Sequence, residues 1–381
     1  MSGHRSPWVD DEIADLKEMA IQFFESEALP HRERWEAQQR VDREFWLAAG
    51  RQGLLCASIP EEYGGGGGTF AHDFAIFEAQ AWCGDAGFGN GVHSGLVAHY
   101  LFTYGSEDQK RRWLPKMATG EYIAAIAMSE PGAGSDLKSL RTTAIRAGDH
   151  YVINGSKTFI SNGANADLIV LIVKTDPAAG AKGVSLLVLE TADAPGFRVG
   201  RVLDKLGMKA QDTAELFFDN VAVPVENLLG EEGAGFGYAM RQLAHERLMI
   251  AVQGVTVLER ALEETVSYTK ERTAFGGALF AMQNTRFELA ECATIARVAR
   301  TFVDDCIVKH LRGDLDASTA SMAKWWVSDM QCQVIDRCLQ LFGGYGYMLE
   351  YPITRMYADS RAQRIYGGAN EVMKELVARS L

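Results

Sequence analysis

Glu246 lies in the run LAHERLMIAV, with Leu243, Leu248, Met249 and Ile250 around it. A carboxylate held among apolar side chains loses solvation. Its pKa rises, and it becomes a proton acceptor suited to general-base work. The competing reading is an exposed Glu246–Arg247 pair in a first helical turn, where the carboxylate favours the helix dipole. On residue types alone that arrangement is the commoner one. Residues 128–139, MSEPGAGSDLKS, hold a Pro-Gly-x-Gly-Ser turn. Such a turn frees backbone N–H groups and sets small hydroxyls beside them, which suits a polar ring edge or a phosphate. A tight surface turn is the plainer reading. Residues 340–359, QLFGGYGYMLEYPITRMYAD, close one helix on two glycines and start another after Pro352. That is also the pattern of a helical hairpin with a glycine stop. The six cysteines, at 56, 83, 292, 306, 332 and 338, form no CxxC pair and no metal-ligand spacing. They read as buried free thiols in a reducing compartment, and no metal is expected.

Three kinds of segment must position these residues. Residues 10–114 read as helices: Ile13, Leu16, Ala20, Phe23 and Phe24 share one helical face. Asp42 stands as an N-cap before REFWLAAGRQ with Gly53 at its end, and Ser106 and Gln109 have capping-box spacing. The five glycines at 64–68 mark a flexible loop and carry no weight as a phosphate site. From about 121 to 230 come short β-branched or aromatic runs such as HYVINGSKTFI, DLIVLIVK and GVSLLVLE, with no useful helix between them. That predicts an antiparallel β domain and argues against a Rossmann sheet. Long helical patterns return at roughly 237–271, 282–311, 316–342 and 353–379, the last interrupted by glycines. Their short connections predict an antiparallel bundle. The expected domains are 1–120, 121–230 and 231–381.

A 381-residue chain is long for one domain, and 47% hydrophobic with 23% charged residues allows a large core. A net charge of −12 argues against nucleic acid or an anionic membrane as partner. No apolar run approaches the ~18 residues of a membrane span. The start, MSGHRSPWVDDEIADL, has no apolar stretch of the signal-peptide kind, and Asp10, Asp11 and Glu12 make it a poor transit peptide. Cytoplasmic is the expected location.

In this order and on these elements, the two glycine-rich stretches resemble the signatures of the acyl-CoA dehydrogenase family. The resemblance covers nearly the whole chain. VHSG, AIAMSEPGAGSDL, NGSKTFISNG, AQDTAELFFD, ERLMIA, EYPI, and IYGG followed by NEVMKEL are similar to its long-chain branch. The resemblance implies an α+β multidomain fold: an N-terminal α-helical domain, a middle antiparallel β domain and a C-terminal four-helix bundle. It implies FAD held without a Rossmann fold, and α,β-dehydrogenation of an acyl-CoA thioester with electrons passed to an electron-transfer flavoprotein. It also implies a homotetramer.

Residue by residue, the resemblance puts Met128, Ser129 and Ser135 along the flavin and acyl site, with Ser129 at the pyrimidine end of the ring. Phe159, Ile160 and Ser161 would form a second wall, with the Ser161 hydroxyl near flavin N5. Arg272, Phe275 and Gln283 match residues that hold the pyrophosphate and adenosine of a neighbouring subunit's FAD. Gln340, Gly343, Gly344, Ala369 and Asn370 match further FAD contacts, although the family usually has Thr at the place of Ala369. Gly367 stands where many members carry the catalytic glutamate. Its main-chain N–H would still serve the thioester oxygen. The long-chain and isovaleryl branches have their glutamate where Glu246 stands, so Glu246 is the expected base. Arg247 and Tyr366 would help hold the substrate. The rival readings are an acyl-CoA oxidase or flavin monooxygenase on the same fold, disfavoured by chain length, and a catalytically inactive binding subunit.

Overall fold

The computed structural model describes residues 5–381. The helical periodicity of the first segment becomes α1 (Asp11–Phe23), α2 (Arg32–Gln38), α3 (Arg43–Arg51), α4 (Phe70–Cys83), α5 (Asn90–Val92), α6 (Ala98–Tyr104) and α7 (Glu107–Ala118). Local chemistry starts and stops them. The Ser106 hydroxyl accepts the Gln109 N–H at 3.3 Å while Gln109 Oε1 accepts the Ser106 N–H at 2.9 Å, a complete capping box. Asp42 does occupy the N-cap position of α3, but its carboxylate pairs with Arg34 and Gln38 instead of the helix N–H groups.

The glycine run at 64–68 is not the flexible loop expected. The N–H groups of Gly66, Gly67 and Gly68 donate to the carbonyls of Cys56, Ile59 and Ala57 at 3.2, 2.9 and 2.9 Å. A Cβ at Gly65 would fall 2.2 Å from the Ile59 oxygen, so the glycines are there for close backbone approach.

The middle segment forms β1 (Ala124–Ala127), β2 (Thr143–Ala147), β3 (His150–Ser161), β4 (Leu168–Lys174), β5 (Val184–Glu190), β6 (Phe197–Val202) and β7 (Thr213–Pro224). The hydrogen-bonded order is β1-β4-β2-β3-β7-β6, with β5 on β4. The pairs β2–β3, β3–β7, β4–β5 and β6–β7 are antiparallel, as expected. Two pairings depart from that pattern. β1 runs parallel to β4, and β2 meets β4 in parallel at a single residue pair. The long crossover a parallel pair needs is supplied between β1 and β4 by the β2–β3 hairpin instead of a helix. β4 is an unbroken apolar run because both its faces are covered. Leu168, Val170 and Ile172 pack with the N-terminal helices, and Ile169, Leu171 and Val173 pack within the β domain.

The last segment holds three long helices, α8 (Gly235–Glu271), α9 (Gln283–Leu311) and α10 (Ala317–Phe342). The fourth member of the bundle is split into α11 (Pro352–Ser360) and α12 (Asn370–Ala378). A small hairpin, β8 (Thr273–Ala274) and β9 (Gly277–Ala278), joins α8 to α9. One core contains Phe74 of α4, Leu248 and Val252 of α8, Val303 of α9 and Val327 of α10. A second core contains Met128 beside Phe236, Tyr238 and Ala239, which ties the turn at 128–139 to the first turns of α8. The bundle is therefore braced against both other segments before it presents any site residue.

Candidate active site

α8 starts at Gly235, which puts Glu246 about three turns into the helix. The alternative of a first-turn exposed pair is thereby removed. Leu248, Met249 and Ile250 are buried, and Glu246 itself is half-buried. No described residue donates a hydrogen bond to its carboxylate. Burial pushes the Glu246 pKa above the usual glutamate range, with the charges of Arg247 and Lys324 opposing the rise.

Gly367 lies in the turn between α11 and α12 with φ +64. A Cβ placed on it would fall 2.2 Å from Ile250 Cδ1 and 3.6 Å from Glu246 Oε1. The Glu246 carboxylate and Ile250 together occupy the space a side chain at 367 would enter. The Gly367 N–H donates to no described acceptor. A half-buried, unpaired carboxylate therefore faces a turn that offers a free N–H. That pairing can take a proton from carbon while stabilising a developing oxyanion.

Three expected site residues point elsewhere. Arg247 is buried and donates to Ser321 Oγ of α10 at 3.2 Å, so its guanidinium braces the bundle. Asn370 was expected at the cofactor, but its side-chain amide is committed to α10. It donates to Trp325 O at 3.2 Å, Ser328 Oγ at 3.0 Å and Asp329 Oδ1 at 2.9 Å. Ile160 is buried in the β-domain core, so only its main chain can face a ligand. Tyr366, beside Gly367, is 37% exposed and remains available to a substrate.

The turn 128–139 is held from below by an ion pair that motif spacing did not reveal. Lys157 Nζ reaches Glu130 Oε1 at 2.9 Å, the Met128 carbonyl at 3.1 Å and the Ile172 carbonyl at 2.6 Å. Glu130 in turn accepts the N–H groups of Arg141 and Thr142 at 2.6 and 3.0 Å. A lone lysine inside the strand NGSKTFI was the available signal. The register of β3 against β7 slips between Lys157 and Ile160. That bulge ejects Phe159, with φ +59 and 68% exposure, while Ile160 turns inward. Ser129, Phe159 and Ser161 thus offer two hydroxyls with no partner among the described residues and an exposed ring. Met128 is half-buried and Ser135 exposed. These groups fit the polar edge and flat face of a flavin.

A second opening lies at the far end of α8 and α10, lined by Tyr268, Arg272, Gln340, Gly343, Gly344 and Tyr345. The Arg272 guanidinium pairs with no carboxylate among the described residues and sits 5.4 Å from the Tyr345 ring centre. Nothing lies within 4 Å of where side chains at Gly343 and Gly344 would start. An unpaired cation beside bare backbone fits a pyrophosphate. Phe275, at the β8–β9 tip, is 98% exposed, and Gln283 is exposed at the start of α9. Ala369 precedes α12 without any side-chain cap. No group of His, Cys, Asp or Glu suited to a metal occurs among the described residues, and no described helix is long and apolar enough to cross a membrane.

Comparison with known proteins agrees along the chain. The profiles described as acyl-CoA dehydrogenase N-terminal, middle and C-terminal domain match residues 10–121, 125–221 and 233–381. The mitochondrial long-chain specific acyl-CoA dehydrogenase of Mus musculus is 46% identical over 96% of this chain and 85% of its own length. The crystal structure of an acyl-CoA dehydrogenase from Geobacillus kaustophilus superposes with a TM-score of 0.96 at 46% identity, covering 99% of each chain. A structure described as an electron transferring flavoprotein of Acidaminococcus fermentans superposes at 0.93 with 36% identity, covering 98% of each chain.

Proposed function

The chain belongs to the acyl-CoA dehydrogenase family, and on that premise we propose that it oxidises a long- or branched-chain acyl-CoA to the trans-2-enoyl-CoA, with Glu246 as base, FAD as cofactor and an electron-transfer flavoprotein as acceptor. The observation that carries this reading is the 3.6 Å separation between Glu246 Oε1 and the side-chain origin of Gly367. The base has moved to α8, yet its oxygen points at the turn where the family's other glutamate would start.

A carbon next to a thioester is a poor acid. Proton removal needs a base of raised pKa and donors aimed at the carbonyl oxygen. Glu246 takes the α-proton onto a carboxylate oxygen. The Gly367 N–H, with no acceptor among the described residues, donates a hydrogen bond to the thioester oxygen as negative charge gathers there. Bound FAD supplies the acceptor for the hydride that leaves the β-carbon. Ser129 and Ser161 would hold its ring edge, Phe159 would cover its face, and Arg272 with Gly343 and Gly344 would take the pyrophosphate. Apolar Leu248, Met249 and Ile250 keep water from the base.

The test is anaerobic addition of acyl-CoAs of graded length and branching to the purified flavoprotein. Flavin absorbance is expected to bleach with at least one long or branched substrate. A protein that carries no flavin, or that no acyl-CoA bleaches, would sink the proposal. Stoichiometric peroxide in air would favour the oxidase reading.

Assembly is part of the same proposal. Phe275 stands 98% exposed on a hairpin beside the pyrophosphate-like opening, as expected of a residue that completes a neighbour's cofactor site. A homotetramer predicts a light-scattering mass of about four times 41.8 kDa. A single-chain mass with full flavin content would exclude it. Six free thiols fit a cytoplasmic location.

A further inference from the structure

Lys324 lies on α10, and its side chain is entirely buried. It shares the buried face of α10 with Ala320, Ala323 and Val327 and with the polar Ser321, Ser328 and Gln331. Nothing in the flavin or thioester chemistry above uses it. A buried ammonium is costly unless its donors are satisfied. Two of its bonds are in view. Nζ donates to the Gly368 carbonyl at 2.7 Å and to Asn370 Oδ1 at 2.9 Å. Asn370 is itself fastened to α10 through Trp325, Ser328 and Asp329. The turn that carries Gly367 is therefore clamped to α10 on its C-terminal side by Asn370, and Lys324 adds the contact that reaches the Gly368 carbonyl.

The clamp matters because that turn is intrinsically loose. Gly367 and Gly368 are consecutive glycines with φ +64 and +90, and neither has a side chain to hold it. The peptide that joins them consists of the Gly367 carbonyl and the Gly368 N–H. The next carbonyl, that of Gly368, is the one Lys324 holds. Fixing it limits rotation about the backbone of both residues, and so restricts the direction of the free Gly367 N–H, which belongs to the peptide before Gly367. Donor direction decides how much an oxyanion site contributes, since a misplaced donor must reorganise as charge develops.

We propose that Lys324 is a positioning residue for this reaction: by gripping the Gly368 carbonyl and Asn370 it aims the Gly367 N–H at the thioester oxygen. This rests on the dehydrogenase reading above. The charge of Lys324 also opposes the burial-driven rise of the Glu246 pKa. The charged and titratable groups around that carboxylate are Arg247 on its own helix, Lys324 on α10, Tyr100 on α6, and Tyr366 in the turn. Around Lys324 stand Arg247, Glu246, Asp329 and Glu371. Burial lowers the Lys324 pKa to about 8, which leaves it mostly protonated at neutral pH. Its charge helps keep Glu246 ionised, so removing it raises the Glu246 pKa and moves the acidic limb of kcat to higher pH.

The experiment uses flavin-loaded wild type, Lys324→Met and Lys324→Gln. Each is given a 2-enoyl-CoA labelled with 13C at the thioester carbonyl, and the carbonyl stretch is read by difference infrared spectroscopy. In wild type the stretch is expected at lower frequency than in free ligand. In Lys324→Met most of that displacement is lost. kcat falls by about tenfold to a hundredfold and KM changes by less than about threefold, as for a donor displaced but not removed. The acidic limb of kcat moves up in pH. Lys324→Gln removes the charge but keeps an N–H donor, so it retains part of the displacement while its acidic limb moves as in the Met variant. Should Lys324→Met fail to fold or hold flavin, the Gln variant decides. A wild-type-like carbonyl stretch and pH profile in whichever variant holds flavin overturns the proposal. A wild type that displaces no carbonyl overturns the dehydrogenase reading, and with it this one.

Discussion

Glu246→Gln is expected to lower kcat by about 10²–10⁴, the usual cost of losing a general base, while the bound-flavin spectrum stays intact. The substitution keeps shape and hydrogen-bonding capacity and removes only the proton acceptor. Gly367 cannot take over, because it has no side chain, and the carboxylate oxygen among the three atoms nearest its side-chain origin is Glu246 Oε1, at 3.6 Å. The pH dependence gives a second, independent sign. Glu246 must be ionised to act, and burial raises its pKa above that of a free glutamate. Activity should therefore fall as pH drops through that raised value, at a higher pH than an exposed glutamate would give. The residual activity of Glu246→Gln should lack this limb. Turnover within a few-fold of wild type would place the base elsewhere.

Lys157→Met should be the most damaging single change to the flavin wall. Lys157 and Glu130 are both buried, and their ion pair also fastens the Met128 and Ile172 carbonyls. Removing one partner leaves a buried carboxylate uncompensated, which costs about 3–5 kcal/mol. Burial lowers the Lys157 pKa to about 8, with Glu130 pulling it back up. The pair therefore stands charged at neutral pH. The turn at 128–135 should loosen, and flavin should be lost before the fold is. The measurement is the flavin-to-protein ratio after gel filtration, together with the denaturation midpoint. A second substitution, Glu130→Gln, should restore part of both, because the orphaned charge is then gone. Full flavin content and an unchanged midpoint in Lys157→Met would show that the pair does not hold the turn.

Much of the architecture was legible in the sequence because it is built from short-range interactions. Helical periodicity placed α8, α9 and α10 within about two residues of their observed ends, and the Ser106–Gln109 spacing produced the capping box. Short β-branched or aromatic runs bounded by turn residues located β1, β3, β4, β5 and β7, while β2 and β6, with few buried residues, carried no such signal. The glycine-rich signatures identified the family, and the absence of a carboxylate at Gly367 directed attention to Glu246. Each of these signals lies within one element or one motif.

Tertiary structure alone decided where side chains point. Neighbouring residues Glu246 and Arg247 diverge, one toward the Gly367 turn and the other into the bundle against Ser321. Adjacent Phe159 and Ile160 separate at a bulge that only pairing with β7 defines. The five-glycine run reads as slack until Cys56, Ala57 and Ile59 are seen accepting its N–H groups. Asn370 matches a cofactor position in sequence, yet α10 takes its whole amide. β1 joins β4 in parallel because the intervening hairpin carries the chain across the sheet. Glu246 and Gly367 are about 120 residues apart along the chain. They meet where α8 packs on α10, with Lys324 and Asn370 joining the turn to α10. Periodicity and caps report interactions within a few residues. Long-range packing sets which face of each element meets which, and that is what assembled the site.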